Sequence, residues 1–393
     1  MNSTHPLRIA IVAGEESGDL LGADLIDAIS RVIGRPIELV GVGGRHLEAR
    51  GLNSLFDGSQ IALMGVSAVL RDLPRLIGRI GQTARAIAAA RPDCLITIDS
   101  PEFSLRVARK VRALTPDVPT VHYVCPSVWA WRPGRAVEMK PYIDHILCLL
   151  PFEPDELSKL GGPRGTFVGH RLTLDEGLRQ AATAQLNRGA PAGGSKSLLI
   201  LPGSRRTEVS GLIGPFGETV RELLARGNRF TVDIPTVPHV AAMVHEAIAE
   251  WPVPTRVIED AEGKTEAFAN ADAALAASGT VSLELALARV PLVACYKTDR
   301  IWRALMSMIT VWSGSLPNLI ADWPVVPEYY NEFVRPAHLA RMIEQLWANT
   351  PARAMQLHGF DIVAQRLYTE RPAGEIGAEA VLATIEQHHL SWN

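Results

Sequence analysis

The chain has 393 residues, a formal net charge of −3 and 47% apolar side chains. That length exceeds one typical core, so two domains are expected, and the near-neutral charge gives no basic footprint for a nucleic-acid partner. No apolar run approaches the ~18 residues of a membrane span and no basic-then-apolar leader opens the sequence. The four cysteines form no C-x-x-C pair and mostly sit in apolar runs, so a reducing compartment is expected.

Leu7–Val12 reads as a buried parallel strand, and Ala13-Gly-Glu-Glu-Ser-Gly-Asp19 as the turn into a helix over 20–32. The turn lacks the Gly-Lys-Ser/Thr of a Walker loop, and its two glutamates would repel a triphosphate. Gly14, Ser17 and Gly18 could let backbone approach a sugar, with Glu15 or Asp19 accepting from hydroxyls. Helix capping by Ser17 or Asp19 is the equal alternative. A second strand over 37–42 leads to Gly43-Gly44-Arg45-His46, where a dinucleotide fingerprint begun at Gly41 would need glycine at 46 and meets His46.

Between Ile61 and Ala90, Met64, Val66, Val69, Leu70, Leu73, Leu76, Ile77 and Ile80 recur at mostly helical spacing among Arg71, Arg75, Arg79 and Arg85. Pro74 is expected to interrupt or start a helix there. The pattern suits an interfacial helix on anionic lipid, but a core helix with a solvated face is the reading the residues alone favour. Pro92–Ile98 is a strand ending at Asp99-Ser-Pro-Glu-Phe103. Strand carboxyl ends line the ligand crevice of open α/β sheets, so Asp99 is a candidate general base; capping the helix that follows is its other reading. A strand over 120–124 runs into Cys125-Pro-Ser-Val-Trp-Ala-Trp-Arg132, where Trp129, Trp131 and Arg132 form an amphipathic wall suited to a sugar or an anion. Strands over 144–150 and 166–170 complete this half, and the turn-rich segment 187–194 marks a boundary region.

Ser197–Leu201 restarts the alternation. Pro202-Gly-Ser-Arg-Arg206 then opens a helix, so Ser204 and Arg205, with Arg206, combine backbone donors and fixed positive charge for an anion. Strands over 230–234 and 256–259 follow. Asp272–Ala276 leads to Ser278-Gly279-Thr280 at the start of another helix, a second anion turn, with Glu284 one turn further on the same face to accept from a diol. The pairing suits a nucleotide sugar; an ordinary connection with a surface Glu is the plainer reading. Trp302–Trp312 reads as helical, Ser315–Ile320 as a turn presenting Asn318, and 336–387 as helices. The repeated units indicate an α/β protein of two facing doubly wound domains with a cleft between them. The expected boundaries are 1–172, 173–360 and a helical tail, 361–393, packing back on the N-terminal domain.

The chain resembles the lipid-A-disaccharide synthase family of GT-B glycosyltransferases over nearly its whole length. The resemblance is carried in order by Ala13–Asp19, Met64–Val66, Ile98–Pro101, Pro126–Arg132, Leu150–Glu153, Phe167–His170, Leu201–Arg205, Ala277–Thr280 with Glu284, and Ser315–Leu319. Ser100, Glu102, Ser104 and Cys125 depart from the Ala, Asp, Asn and Ser expected there. The resemblance implies an inverting transfer of diacylglucosamine from its UDP conjugate to the 6-hydroxyl of 2,3-diacylglucosamine 1-phosphate. The products are UDP and a β-1,6 disaccharide phosphate. It implies Asp99 as base and Arg205 with the 278–280 turn for the leaving group. Gly14, Glu15, Ser204, Arg205, Ser278, Gly279, Thr280, Glu284 and Asn318 would hold the UDP-diacylglucosamine donor. Trp129, Trp131 and Arg132 would lie on the side of the acylated glucosamine phosphate acceptor. No metal or cofactor is expected. Because both substrates are acylated, Val66, Val69, Leu73 and Leu76 become the expected apolar face toward an anionic membrane, and the expected location is cytoplasmic, peripheral to the inner membrane. A homodimer is left open. The other readings are a UDP-N-acetylglucosamine 2-epimerase-like enzyme and a non-catalytic UDP-sugar-binding protein.

Overall fold

A computed structural model describes residues 5–62, 69–188, 194–297 and 309–390, with backbone alone at 59, 62, 69–73 and 389. It divides into two compact units, one of residues 1–170 with 369–393 and one of residues 171–368.

The first unit holds a seven-stranded sheet of order β3-β2-β1-β4-β5-β6-β7. The strands are β1 (Leu7–Ala13), β2 (Ile37–Val42), β3 (Asn53–Ser54), β4 (Cys94–Ile98), β5 (Thr120–Tyr123), β6 (His145–Cys148) and β7 (Arg164–Phe167), and every pairing is parallel. Parallel strands covered on both faces read as continuous apolar runs, as in Cys94-Leu-Ile-Thr-Ile98. Alternation divides them between two cores. Ile9, Ile11, Ile96 and Ile98 pack with Leu25, Ile29 and Val381 from helices Glu16–Ile33 and Ala373–Leu390. Ala10, Val12 and Leu95 pack with Ile80, Ile87, Val107 and Val111 from helices Val69–Ala90 and Pro101–Leu114. The helix 373–390 thus belongs to the first unit, alongside 16–33.

Two expectations are corrected here. Helix Val69–Ala90 runs through Pro74 instead of starting or breaking at it; there Pro74 forfeits its own N–H bond to the preceding turn and its ring crowds the carbonyl four residues back, a cost the rest of the 22-residue helix absorbs. Leu76 is buried in the core with Ile80, Ala84 and Ile87, so it faces protein and not a membrane, while the adjacent Ile77 is 53% exposed. Val66 lies outside the described residues, as do the side chains of Val69 and Leu73 and most of 302–312.

The second unit holds a six-stranded parallel sheet of order β10-β9-β8-β11-β12-β13. Its strands are β8 (Lys196–Leu201), β9 (Phe230–Pro235), β10 (Thr255–Ile258), β11 (Ala273–Ala277), β12 (Leu292–Tyr296) and β13 (Glu328–Tyr330). Leu198, Ile200, Val232, Ile234, Leu275 and Val293 pack against Phe216 and Val220 of helix Arg206–Ala225 and Leu339 and Ile343 of helix Pro336–Trp347. Phe216 is fully buried, so truncation to Ala would cost about 3–5 kcal/mol. In each sheet the strand order reverses direction once, between β1 and β4 and between β8 and β11. In such sheets ligands bind beyond the strand carboxyl ends at this switch point. Among the described residues no helix is long and apolar enough to cross a membrane.

Candidate active site

In the second unit a cavity of about 590 Å³ opens at the switch point. Its walls come from the ends of β8, β9, β10, β11 and β12 and include Ser204, Arg205, Glu208, Lys264, Ser278, Gly279, Thr280 and Glu284. Residues from two separate sequence stretches, the 204–205 turn and the 278–284 turn-helix, therefore face one space. Arg206 is not among its lining residues, so only the first arginine of the pair contributes.

The 203–205 turn is held by Glu208. Its Oε2 accepts from the backbone N–H of Ser204 at 3.1 Å and of Arg205 at 3.2 Å, while Oε1 pairs with the Arg205 guanidinium at 2.9 Å. The guanidinium has no acceptor atom, so the reciprocal half of a capping box is not available to it. Gly203 makes this possible: its φ is 115°, and a Cβ there would stand 2.5 Å from the Glu208 side chain. Arg205 itself is 79% exposed, so a surface pair of this kind can exchange partners for an anion at small cost.

The second turn leaves β11 at Ala277 and enters helix Thr280–Leu287. The Ser278 hydroxyl donates to the Gly314 carbonyl at 3.1 Å, and the Ser282 hydroxyl donates to the Gly279 carbonyl at 2.7 Å. These bonds fix the turn while the first N–H groups of the helix, lacking intrahelical acceptors, point their positive ends outward. A Cβ at Gly279 would meet only open space. Glu284 is not a bare carboxylate, since its Oε2 accepts from Lys264 Nζ at 2.6 Å. Lys264, absent from the sequence-based set, lies one turn into helix Ala261–Asn270 after β10. Its position, early in a helix that follows a strand carboxyl end, was the available signal.

Asn318 is placed differently from the expectation. It sits in helix Leu316–Ala321, 1% exposed, and not on a presenting turn. Its amide donates to Ser313, Val326 and Glu328 and its carbonyl accepts from Val326 N–H at 2.7 Å. Its polar atoms tie the 313–328 segment together, and it does not line the cavity.

In the first unit the carboxyl edge is built by strained side-chain-bearing residues. Asp99 and Ser100 have φ of 49° and 44°, Val124 has 74° and Arg132 has 56°. Left-handed backbone costs of order 1–3 kcal/mol at such residues and concentrates at functional sites. Asp99 is half-buried; its backbone N–H donates to the Tyr123 carbonyl at 2.9 Å and its Oδ1 accepts from Ser100 N–H at 2.7 Å. Its reading as a cap for the next helix is met only by that adjacent bond, because the N-cap position is Ser100, which makes no side-chain cap.

Past β5, the Trp129 indole N–H donates to Glu153 at 3.1 Å and its ring meets Phe152 edge-on at 5.0 Å between centroids. The Arg132 guanidinium stands 5.4 Å from the Trp131 ring centre. Glu102 pairs with Arg106 at 3.1 Å and Arg135 at 2.6 Å, fastening the segment after Arg132 to helix Pro101–Leu114. Glu153 also accepts from the N–H of Leu149 and Leu150, both at 3.0 Å, and burial pushes it up to about 7 against the pull of these donors. Glu153, Cys125 and Cys148 are the one group of three ligand-type side chains among the described residues, their ligand atoms within 4.8 Å. Cys148 beside it and burial push the Cys125 thiol strongly up, and with Glu153 already engaged the trio reads as packing and capping.

At β1, Gly14 is buried and a Cβ would lie 2.7 Å from Ile61, so packing explains it without a ligand. Asp19 is 2% exposed and accepts from the N–H of Gly44 at 2.7 Å and His46 at 2.8 Å, which engages it with backbone and not with a sugar. Glu15 is exposed at the N-cap of helix Glu16–Ile33.

Comparison with known proteins agrees with this architecture. Residues 9–366 match the family model described as lipid-A-disaccharide synthetase. The lipid-A-disaccharide synthase of Rhodopseudomonas palustris is 44% identical over 97% of this chain and 97% of its own. That of Rhodospirillum centenum is 41% identical over 98% of this chain and 96% of its own. Among solved structures, Acinetobacter baumannii MurG aligns with a TM-score of 0.59 at 12% identity, covering 96% of this chain and all of that one. A Staphylococcus aureus MnaA–UDP co-structure aligns with 0.58 at 11% identity, over 98% of this chain and 97% of that one. At those identities the structural likeness speaks to fold alone, and the fold is GT-B. The sequence relationship speaks to family: the chain belongs to the lipid-A-disaccharide synthases.

Proposed function

We propose that the cavity of the second unit is the donor site for a UDP-sugar and that Asp99 in the first unit serves the acceptor. The enzyme is a glycosyltransferase that forms the lipid A disaccharide, and the family match along residues 9–366 carries that reading. The reaction joins a diacylglucosamine from its UDP conjugate to the 6-hydroxyl of an acylated glucosamine 1-phosphate. The hydroxyl oxygen attacks the anomeric carbon as the bond from that carbon to the β-phosphate oxygen breaks. UDP leaves with the electron pair, Asp99 takes the hydroxyl proton, and one displacement inverts α to β.

Charge grows on the departing diphosphate, and the groups suited to it are Arg205, the Ser204 backbone and the Ser278–Thr280 turn, with Glu284 toward the ribose. Gathering of these residues in one cavity supports the donor assignment. Glu15 remains a proposal for the donor side, and the Trp129, Trp131 and Arg132 segment for the acceptor side. Peripheral membrane association rests on the exposed Ile77 and the arginines of helix Val69–Ala90, although Arg79 is partly engaged by Gln60 at 3.0 Å and by the Phe56 ring at 4.5 Å. Incubation with UDP-2,3-diacylglucosamine and the acylated 1-phosphate should yield disaccharide phosphate and UDP by mass spectrometry. Absence of the disaccharide, with epimerisation of UDP-N-acetylglucosamine in its place, would establish the other GT-B chemistry.

A further inference from the structure

An acidic residue one helical turn from a phosphate-binding turn poses an electrostatic problem. Glu284 follows Thr280 by one turn on the same helix, and both line the cavity. An unscreened carboxylate there would oppose the diphosphate that the turn is suited to hold. Lys264 answers this locally. Its ammonium sits 2.6 Å from Glu284 Oε2, and it lies 5.3 Å from the ring centre of Phe268, which is buried.

The pair is also chemically matched to a vicinal diol. An ammonium has three N–H donors and Glu284 occupies one, so others remain for a hydroxyl oxygen. With Oε2 held by Lys264, Glu284 Oε1 is left to accept from a hydroxyl hydrogen. Of the cavity's other carboxylates, Glu208 is engaged with the 203–205 turn, Asp260 accepts from Gly263 N–H at 2.7 Å at the start of the lysine's own helix, and Glu259 is about half exposed with His245 Nε2 4.0 Å away. Lys264 is only 38% exposed at its side chain and Glu284 19%, so the pair is a wall of the cavity and not a freely solvated surface contact.

We infer that Lys264 is a donor-recognition residue that aims Glu284 and, together with it, reads the ribose diol of the nucleotide while neutralising the carboxylate beside the diphosphate turn. This rests on the donor-site reading above and extends it to a residue on a third chain segment. Its signature is selectivity for ribose, which a merely structural ion pair would not produce.

The test is calorimetric titration of the full chain with UDP and with 2′,3′-dideoxy-UDP. The wild type should prefer UDP by about tenfold or more, as expected for hydrogen bonds to charged groups. Lys264→Met should weaken UDP and cut its preference over dideoxy-UDP to about threefold or less, with dideoxy-UDP weakened less than UDP because it loses only the screening of Glu284, and Lys264→Arg should restore most of the preference. A melting temperature close to wild type excludes unfolding as the cause. Full ribose preference in Lys264→Met, or none in the wild type, overturns the inference. The donor-site reading is judged separately: it fails if UDP does not bind, or binds undiminished in Arg205→Ala.

Discussion

The two sheets end in different kinds of edge. In the second unit the edge is made by glycine turns, Gly203 and Gly279, whose backbone donors and helix starts face a cavity. In the first unit the corresponding edge is made by Asp99, Ser100, Val124 and Arg132, which hold left-handed backbone while carrying side chains. A glycine turn is suited to bind a diphosphate by backbone, indifferent to which sugar it carries. A strained residue with a side chain aims one functional group. On the proposed reading, binding and chemistry are divided between the edges.

The largest effect that would break this comparison is at Asp99. Asp99→Asn should lower turnover by about 10²–10⁴-fold and leave UDP affinity within about twofold; substantial turnover would remove the base from the first unit. Next is acid stability. Burial holds His122 near 3 and His145 near 4, below the ordinary value of 6.5. The folded unit therefore binds fewer protons than the unfolded chain, and this contribution to stability is present above about pH 6.5 and lost on acidification toward the folded values. Each histidine then costs up to about 1.4 kcal/mol per pH unit. Hydrogen exchange at pH 7 and pH 5 should show first-unit peptides opening more readily at the lower pH, with His145→Gln reducing the effect. An unchanged pH response in that variant would refute the assignment.

Gly203→Val would place a Cβ where Glu208 stands, dislodging the carboxylate from Ser204 and Arg205. The expected loss is about 1–3 kcal/mol of stability together with weakened UDP binding, read by denaturant melts and titration. Unaltered UDP affinity would mean that the turn does not hold the nucleotide. Arg205→Ala should cost about 10–100-fold in kcat/KM, and retention of full activity would leave leaving-group support to backbone alone. Smallest is Ser100→Gly, which relieves a left-handed serine and should gain about 1 kcal/mol in stability. A loss instead would show that the strain at this edge is not where the φ values put it.

Much of this was legible in sequence because strands covered on both sides leave continuous apolar runs, as at Cys94–Ile98, and because each run ends where the sheet presents ligands. That logic singled out Asp99, which follows the end of β4, and Arg205, Ser278–Thr280 and Glu284, which line one cavity; their roles remain proposals. It failed where a polar residue serves the chain itself. Asn318 and Asp19 have the same composition whether they meet a ligand or buried backbone, and spacing does not distinguish the two. At Gly14 the missing side chain makes room for Ile61, a packing reason that the sequence does not show beside the reading of backbone approach to a sugar. Leu76 and Ile77 are neighbours in one apolar pattern, and only packing shows which turns inward. Lys264 carries no periodicity signal; only its place early in a helix after a strand carboxyl end marks it.

The helix Ala373–Leu390 contributes Ala378, Val381 and Ile385 to the core built on β1 and helix Glu16–Ile33. During translation the first strands therefore emerge long before the last piece of their own hydrophobic core, with all of the second unit made in between. The order of synthesis and the order of completion are opposed: the unit begun first is closed last. A ribosome-bound chain stopped at Tyr368 would carry the whole second unit and a first unit whose core beside helix Glu16–Ile33 is incomplete. Release of the final helix is then the step that seals the unit bearing Asp99.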